Sequence, residues 1–90
     1  MSGYRIGFKP SVEKDFKRLP RVVVPRVMKC IEGLKDKAIP QGAVKLSGGE
    51  HLYRIRVGDY RVVYEVDTRS QQLMIHYIRH RREVYRPLKG

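Results

Sequence analysis

Along residues 52–66, LYRIRVGDYRVVYEV, apolar and polar positions alternate on both sides of Gly58-Asp59. That two-residue period marks strands whose two faces meet different surroundings. A Gly-Asp pair between two such runs is a hairpin turn signal, which predicts antiparallel strands over 52–57 and 60–66. The turn also sets the register: Val57 opposite Tyr60, Arg56 opposite Arg61, Ile55 opposite Val62 and Arg54 opposite Val63. Alternation then sends Tyr53, Ile55, Val57, Tyr60, Val62, Tyr64 and Val66 to one face, which must be the core. Arg54, Arg56, Arg61, Val63 and Glu65 go to the other.

Elsewhere the period changes. YRIGF (4–8) alternates briefly and reads as a short strand ended by Pro10. Ser11 is a candidate cap for a helix whose apolar positions Val12, Phe16 and Leu19 fall at i, i+4 and i+7, with Glu13 and Asp15 suited to its positive N-terminal end. Leu19-Pro20 breaks it. A second helix covers roughly 21–37, with Val24, Val27, Ile31 and Leu34 as its apolar stripe. Pro25 fits only in its first turn, where the missing N–H loses nothing. Residues 38–50, with Pro40, Gly42, Gly48 and Gly49, read as a loop. A last strand over 72–79 precedes the tail RHRREVYRPLKG, read as a short helical turn ending at Pro87. The order β-α-α-β-β-β gives an α+β domain, a helical hairpin packed on one face of a small, mainly antiparallel sheet.

Ninety residues allow one domain with one core, residues 1–90. At 41% hydrophobic the chain has enough apolar material to fold. Its net charge of +11 costs self-repulsion and points to nucleic acid, an anionic membrane surface or an acidic protein partner. The N-terminus lacks the apolar core of a signal peptide, and no run approaches the ~18 apolar residues of a membrane span, so the expected location is the cytoplasm. Cys30, in a helical apolar pattern, reads as a small packed side chain rather than a nucleophile. No metal-ligand spacing appears, and no cofactor is expected.

The charge changes the meaning of the hairpin. Arg56 and Arg61 become direct cross-strand neighbours with Cβ atoms about 5 Å apart, and like charges so placed destabilise a sheet by under ~1 kcal/mol when exposed. With Arg54 one diagonal away, an absent anion explains the cluster better than a merely solvated face. Arginine grips phosphate oxygens with a planar fork. Eight of the twelve arginines lie within 54–86, whereas most lysines lie earlier. Lys45, Arg79 and Arg82 are further candidate phosphate contacts. The tail segment HRREVY (80–85) adds His80, Arg81 and Tyr85, and an aromatic beside arginines suits single-stranded RNA. His76, mid-strand between Met74 and Ile78, reads as structural, and His51 is undecided.

From Lys45-Leu46 through LYRIRVGDYRVVYEV to IRHRREVY, with FKPSVEKDFKRLP leading into the first helix, the chain resembles the RelE/ParE toxin superfamily of toxin–antitoxin systems. The resemblance covers essentially the whole chain and implies a compact toxin neutralised by an antitoxin that wraps its basic surface. In the RelE branch it implies cleavage of mRNA in the ribosomal A site. The ribose 2′-hydroxyl attacks the neighbouring phosphorus, leaving a 2′,3′-cyclic phosphate and a free 5′-hydroxyl, without a metal. Carried over, Arg54 and Arg56 match two basic strand positions, Arg61 the arginine after the hairpin turn, Arg81 the arginine after the last strand and Tyr85 the tail tyrosine. Arg61 would stabilise charge building on phosphorus, Arg81 would assist the departing 5′-oxygen, and Tyr85 would stack on or orient a base.

One position departs from the pattern. Where the family can use a lysine as base, this chain has Arg56, and a guanidinium stays protonated in essentially any site. His80 is the substitute candidate, since imidazole titrates near neutral pH. Alternatively no protein base is used, and orientation of the 2′-hydroxyl with phosphate neutralisation supplies the rate. The expected partners are an acidic or amphipathic helical antitoxin, the ribosome and mRNA, with no membrane. Two other readings stand beside this one: a ParE-like DNA gyrase inhibitor acting by protein binding, and a non-catalytic RNA- or DNA-binding module.

Overall fold

The computed structural model describes residues 3–80. The expected Arg81, Arg82 and Tyr85 contacts and the helical turn ending at Pro87 therefore lie outside the described residues. In chain order the elements are β1 (Arg5–Phe8), α1 (Pro10–Arg18), α2 (Val23–Gly33), β2 (Val44–Lys45), β3 (Leu52–Val57), β4 (Tyr60–Asp67) and β5 (Gln72–His80). They build the expected α+β architecture, two helices and a five-stranded sheet of order β1-β5-β4-β3-β2. β1 runs parallel to β5 at one end, and the other neighbours are antiparallel. β2 corrects the expected 38–50 loop. Val44 and Lys45 pair with Arg54 and Tyr53, an edge rung too short to leave a periodic signal.

α1 starts two positions earlier than a cap at Ser11 would have set it. Lys9 occupies the N-cap with extended backbone and no side-chain cap, and Pro10 stands at the head of the helix. Proline's fixed φ suits that place, so Ser11 falls inside the first turn and does not cap. Asp15 is likewise not spent on the helix end: its Oδ2 accepts the N–H of Ile78 at 3.0 Å, tying α1 to β5. α2 begins at Val23, which puts Pro25 in its first turn as the missing N–H requires.

The hairpin register is the one the turn predicts, from Val57↔Tyr60 through Arg56↔Arg61 to Leu52↔Glu65. Gly58 has φ 61° while Asp59 does not enter the positive-φ region, the pattern of a type II′ turn whose twist matches the strands. The core lies between the helices and one face of the sheet. Val12, Leu19, Val27, Ile31 and Leu34 meet Val62, Tyr64, Val66, Leu73, Ile75 and Ile78, with Tyr53, Ile55, Val57 and Tyr60 packed against them. All seven residues assigned to the core face by alternation are there. Tyr64 is fully buried, and its hydroxyl donates to Ala38 O at 2.8 Å, which satisfies the polar end of the ring. Burial, with the neighbouring Cys30 and Tyr53 side chains, pushes its phenol well above the usual tyrosine range. Burial also pushes the Cys30 thiol up, away from thiolate chemistry.

β5 contains the one irregularity that moves functional groups. Val63 pairs with Tyr77 but Tyr64 pairs with Ile75, so His76 is an extra residue between the two rungs. Such a bulge inverts the inside–outside parity of everything beyond it. Leu73 and Ile75 face the core before it, and Ile78 faces the core after it.

Candidate nucleic-acid interface

The face of the sheet away from the helices carries the arginines. Arg56 on β3 pairs with Arg61 on β4, and Arg61 pairs in turn with Arg79 on β5. Three guanidinium side chains thus start from one row across three adjacent strands, with Cβ atoms about 5 Å apart at each step. The next row is Arg54, Val63 and Tyr77. The expected Arg54, Arg56 and Arg61 cluster is assembled as the turn predicts. Arg79 joins it through the bulge, which turns Tyr77 and Arg79 onto this side.

The row is graded in exposure. Arg56 and Arg79 are exposed, Arg54 is half-buried, and the central Arg61 is 2% exposed. Positive charge is therefore densest where water is scarcest. There a bound oxyanion would be attracted more strongly than at an open surface. Arg79 has its guanidinium carbon 4.3 Å over the ring centroid of Tyr77, a cation–π contact. Two carboxylates among the described residues of this face have other partners. Glu65 Oε1 lies 3.1 Å from His76 Nε2. Asp67 Oδ1 accepts the N–H groups of Arg69 and Ser70, and those bonds hold its carboxyl below the usual carboxylate range.

Two candidates fall elsewhere. Lys45 pairs with Tyr53, so its register position is on the helix-side face at the sheet edge and not beside the arginine row. His80 pairs with Tyr60 and meets its ring edge-on, centroids 5.2 Å apart, also on the helix side. The bulge causes this: an unbroken strand would have put His80 with the arginines and Arg79 with the core. His76 has the structural contact expected of it, and His51 sits 3.7 Å from Glu50 at the surface. Among the described residues no three His, Cys, Asp or Glu side chains gather as metal ligands do, and no helix is long and apolar enough to cross a membrane. Tyr77 was not singled out by the sequence. Its neighbour Arg79 was the available signal, but only the bulge puts the two in the arginine field.

A family model for the ParE toxin of type II toxin–antitoxin systems matches residues 6–85. The chain is 30% identical over 86 residues to a candidate toxin, RelE1, of Methanocaldococcus jannaschii, covering 92% of this chain and 96% of the relative. Among solved structures, the archaeal RelE–RelB complex from Pyrococcus horikoshii superposes with a TM-score of 0.79 at 30% identity, over 90% of this chain and 97% of the other. The RelB–RelE antitoxin–toxin complex of Methanococcus jannaschii does so with 0.76 at 25%, over 92% and 99%. Isolated E. coli RelE shares the fold with a TM-score of 0.74 at 20% identity, over 86% of this chain and 83% of that one. With a family model matching residues 6–85 and a relative 30% identical along nearly the whole of both chains, the chain belongs to the RelE/ParE superfamily of type II toxin–antitoxin toxins.

Proposed function

We propose that this toxin is an endoribonuclease that cuts mRNA on the ribosome, using the arginine row as its phosphate site. The observation that carries the reading is the Arg56–Arg61–Arg79 row with its nearly buried centre. In the proposed reaction the ribose 2′-oxygen bonds to the adjacent phosphorus as the P–O5′ bond breaks. A 2′,3′-cyclic phosphate forms, the 2′-hydroxyl gives its proton to water, and the departing 5′-oxygen takes up a proton from water to become a 5′-hydroxyl. Arg61 stabilises the charge that builds on the phosphorane, where a preorganised cation in a partly dry site is worth ~3 kcal/mol. Arg56, Arg54 and Arg79 hold the flanking backbone. Arg81, Arg82 and Tyr85 follow directly on β5 in sequence, and the proposal keeps them as leaving-group, phosphate and base contacts. This reading gives His80, which sits opposite Tyr60 on the helix side, no part as the base. Orientation of the 2′-hydroxyl by the ribosome and neutralisation of the phosphate supply the rate instead.

The same face is the proposed seat of the antitoxin, an acidic or amphipathic helical chain. RelE–RelB and RelB–RelE complexes of similar archaeal toxins support an antitoxin partner. Inducing the chain in growing cells is expected to stop translation and to yield mRNAs cut within codons, with Arg61→Ala relieving both. The match to the ParE model supports a second reading, a gyrase inhibitor that works by protein binding. Intact mRNA together with double-strand DNA breaks would establish that reading and remove the nuclease.

A further inference from the structure

Arg79 ends the arginine row, and its partner is an aromatic ring. On β5 the bulge at His76 brings Tyr77 and Arg79 to the same face two residues apart, with the guanidinium carbon 4.3 Å over the Tyr77 centroid. A guanidinium has five N–H donors in a rigid fork. A carboxylate partner would consume two of them, whereas a π face attracts the charge without requiring any. Among the described residues, three nearby carboxylates have other partners: Glu65 with His76, Asp67 with two backbone N–H groups, and Asp15 with Ile78 N–H. Tyr77 itself is half-buried beside Val63, which is 2% exposed, so the ring is a fixed support for a side chain that is otherwise exposed.

We propose that Tyr77 is a positioning residue that holds Arg79 over its ring so that the Arg79 N–H groups present themselves to an RNA phosphate at the end of the row. The assignment rests on reading this face as an RNA backbone site. Arg79 contributes the contact, and Tyr77 decides whether the contact is made with a preset or a wandering side chain. The hydroxyl has no part in this, because the ring face alone holds the cation.

The test is the salt dependence of binding to a short single-stranded 2′-O-methyl RNA, which cannot be cleaved, measured by fluorescence anisotropy on the full chain. Removing one phosphate contact lowers the slope of log Kd against log salt by about 0.7 for a single strand. Arg79→Gln is expected to lower it by about that much, Tyr77→Leu by the same amount, and the double variant by no more than either alone. Tyr77→Phe is expected to keep the full slope. Tyr77→pentafluorophenylalanine has the same shape with its ring quadrupole reversed, and it is expected to behave as Tyr77→Leu does with an unchanged melting temperature. That variant separates cation holding from packing, and it stands in if Tyr77→Leu fails to fold. A full slope in the fluorinated variant would overturn the assignment. So would losses that add fully in the double variant. If the unaltered chain shows no salt-dependent RNA binding, the phosphate-site reading itself falls and takes this one with it, an outcome visible before any variant is made.

Discussion

The two faces of one sheet are built from the same strands and obey opposite rules. Toward the helices, Val62, Tyr64, Val66, Leu73 and Ile75 are buried at 0–1% exposure, and the buried hydroxyl of Tyr64 has its acceptor. Away from the helices, Arg56, Arg61 and Arg79 stand side by side, and the middle one is as buried as the core. The first face lowers the free energy of the fold at every position. The second sets like charges side by side and takes a guanidinium out of water, each a cost to the fold that a partner must offset. Cationic side chains gathered on one face at such a cost are what an anionic partner would select.

The sharpest way to break that contrast is to substitute one residue on each face. Ile75→Ala is expected to cost about 2–5 kcal/mol, a large part of the total stability of a domain this size. Arg61→Met, similar in volume and uncharged, is expected to leave the melting temperature unchanged or raise it. It should nonetheless cut mRNA cleavage by about 10²–10³-fold, read by primer extension after induction. If thermal melts showed Arg61→Met to be as damaging as Ile75→Ala, the arginine face would be structural.

On the core side, Tyr64→Phe strands the buried Ala38 carbonyl and is expected to cost roughly 1–3 kcal/mol at neutral pH. The same residue gives the fold an alkaline limit. Its folded pKa is raised, so its contribution is whole below the unfolded value of about 10 and fades as pH climbs toward the folded one. Denaturant melts at rising pH should therefore show a loss of stability above about pH 10 that is shallower in Tyr64→Phe.

A smaller effect tests the register that aligns the row. Gly58 holds φ 61°, where a Cβ costs about 1–2 kcal/mol, so Gly58→Ala should lower stability by that amount in denaturant titration. Smallest of all, Arg56→Thr relieves one like-charge neighbour of Arg61 and should stabilise by under ~1 kcal/mol while weakening RNA binding. A drop in stability there would mean that Arg56 is held by an internal partner rather than waiting for an external one.

Much of this was legible in the chain. The hairpin register followed from Gly58-Asp59 and the alternation around it, because a two-residue turn leaves the strands no freedom to slip. That register alone paired Arg56 with Arg61. The helix stripes and the place of Pro25 were equally local. The misses share one cause. Ser11 lost the cap because Pro10 heads the helix and Lys9 takes the N-cap, and Asp15 was drawn from the helix end to a strand N–H 63 residues away in sequence. β2 exists only as a partner of β3. His80 and Arg79 exchanged faces because of a bulge that no local signal announces.

By itself, then, the order of residues determined the element types, the pairing of β3 with β4 and the gathering of arginines on one side, since these depend on neighbours within a few positions. Only the tertiary structure decided that Arg61 is nearly dry, that Arg79 rather than His80 stands next to it, and that Tyr77 supports Arg79. Those depend on how β5 docks between β4 and β1, and a single extra residue at His76 reverses which side each later group faces.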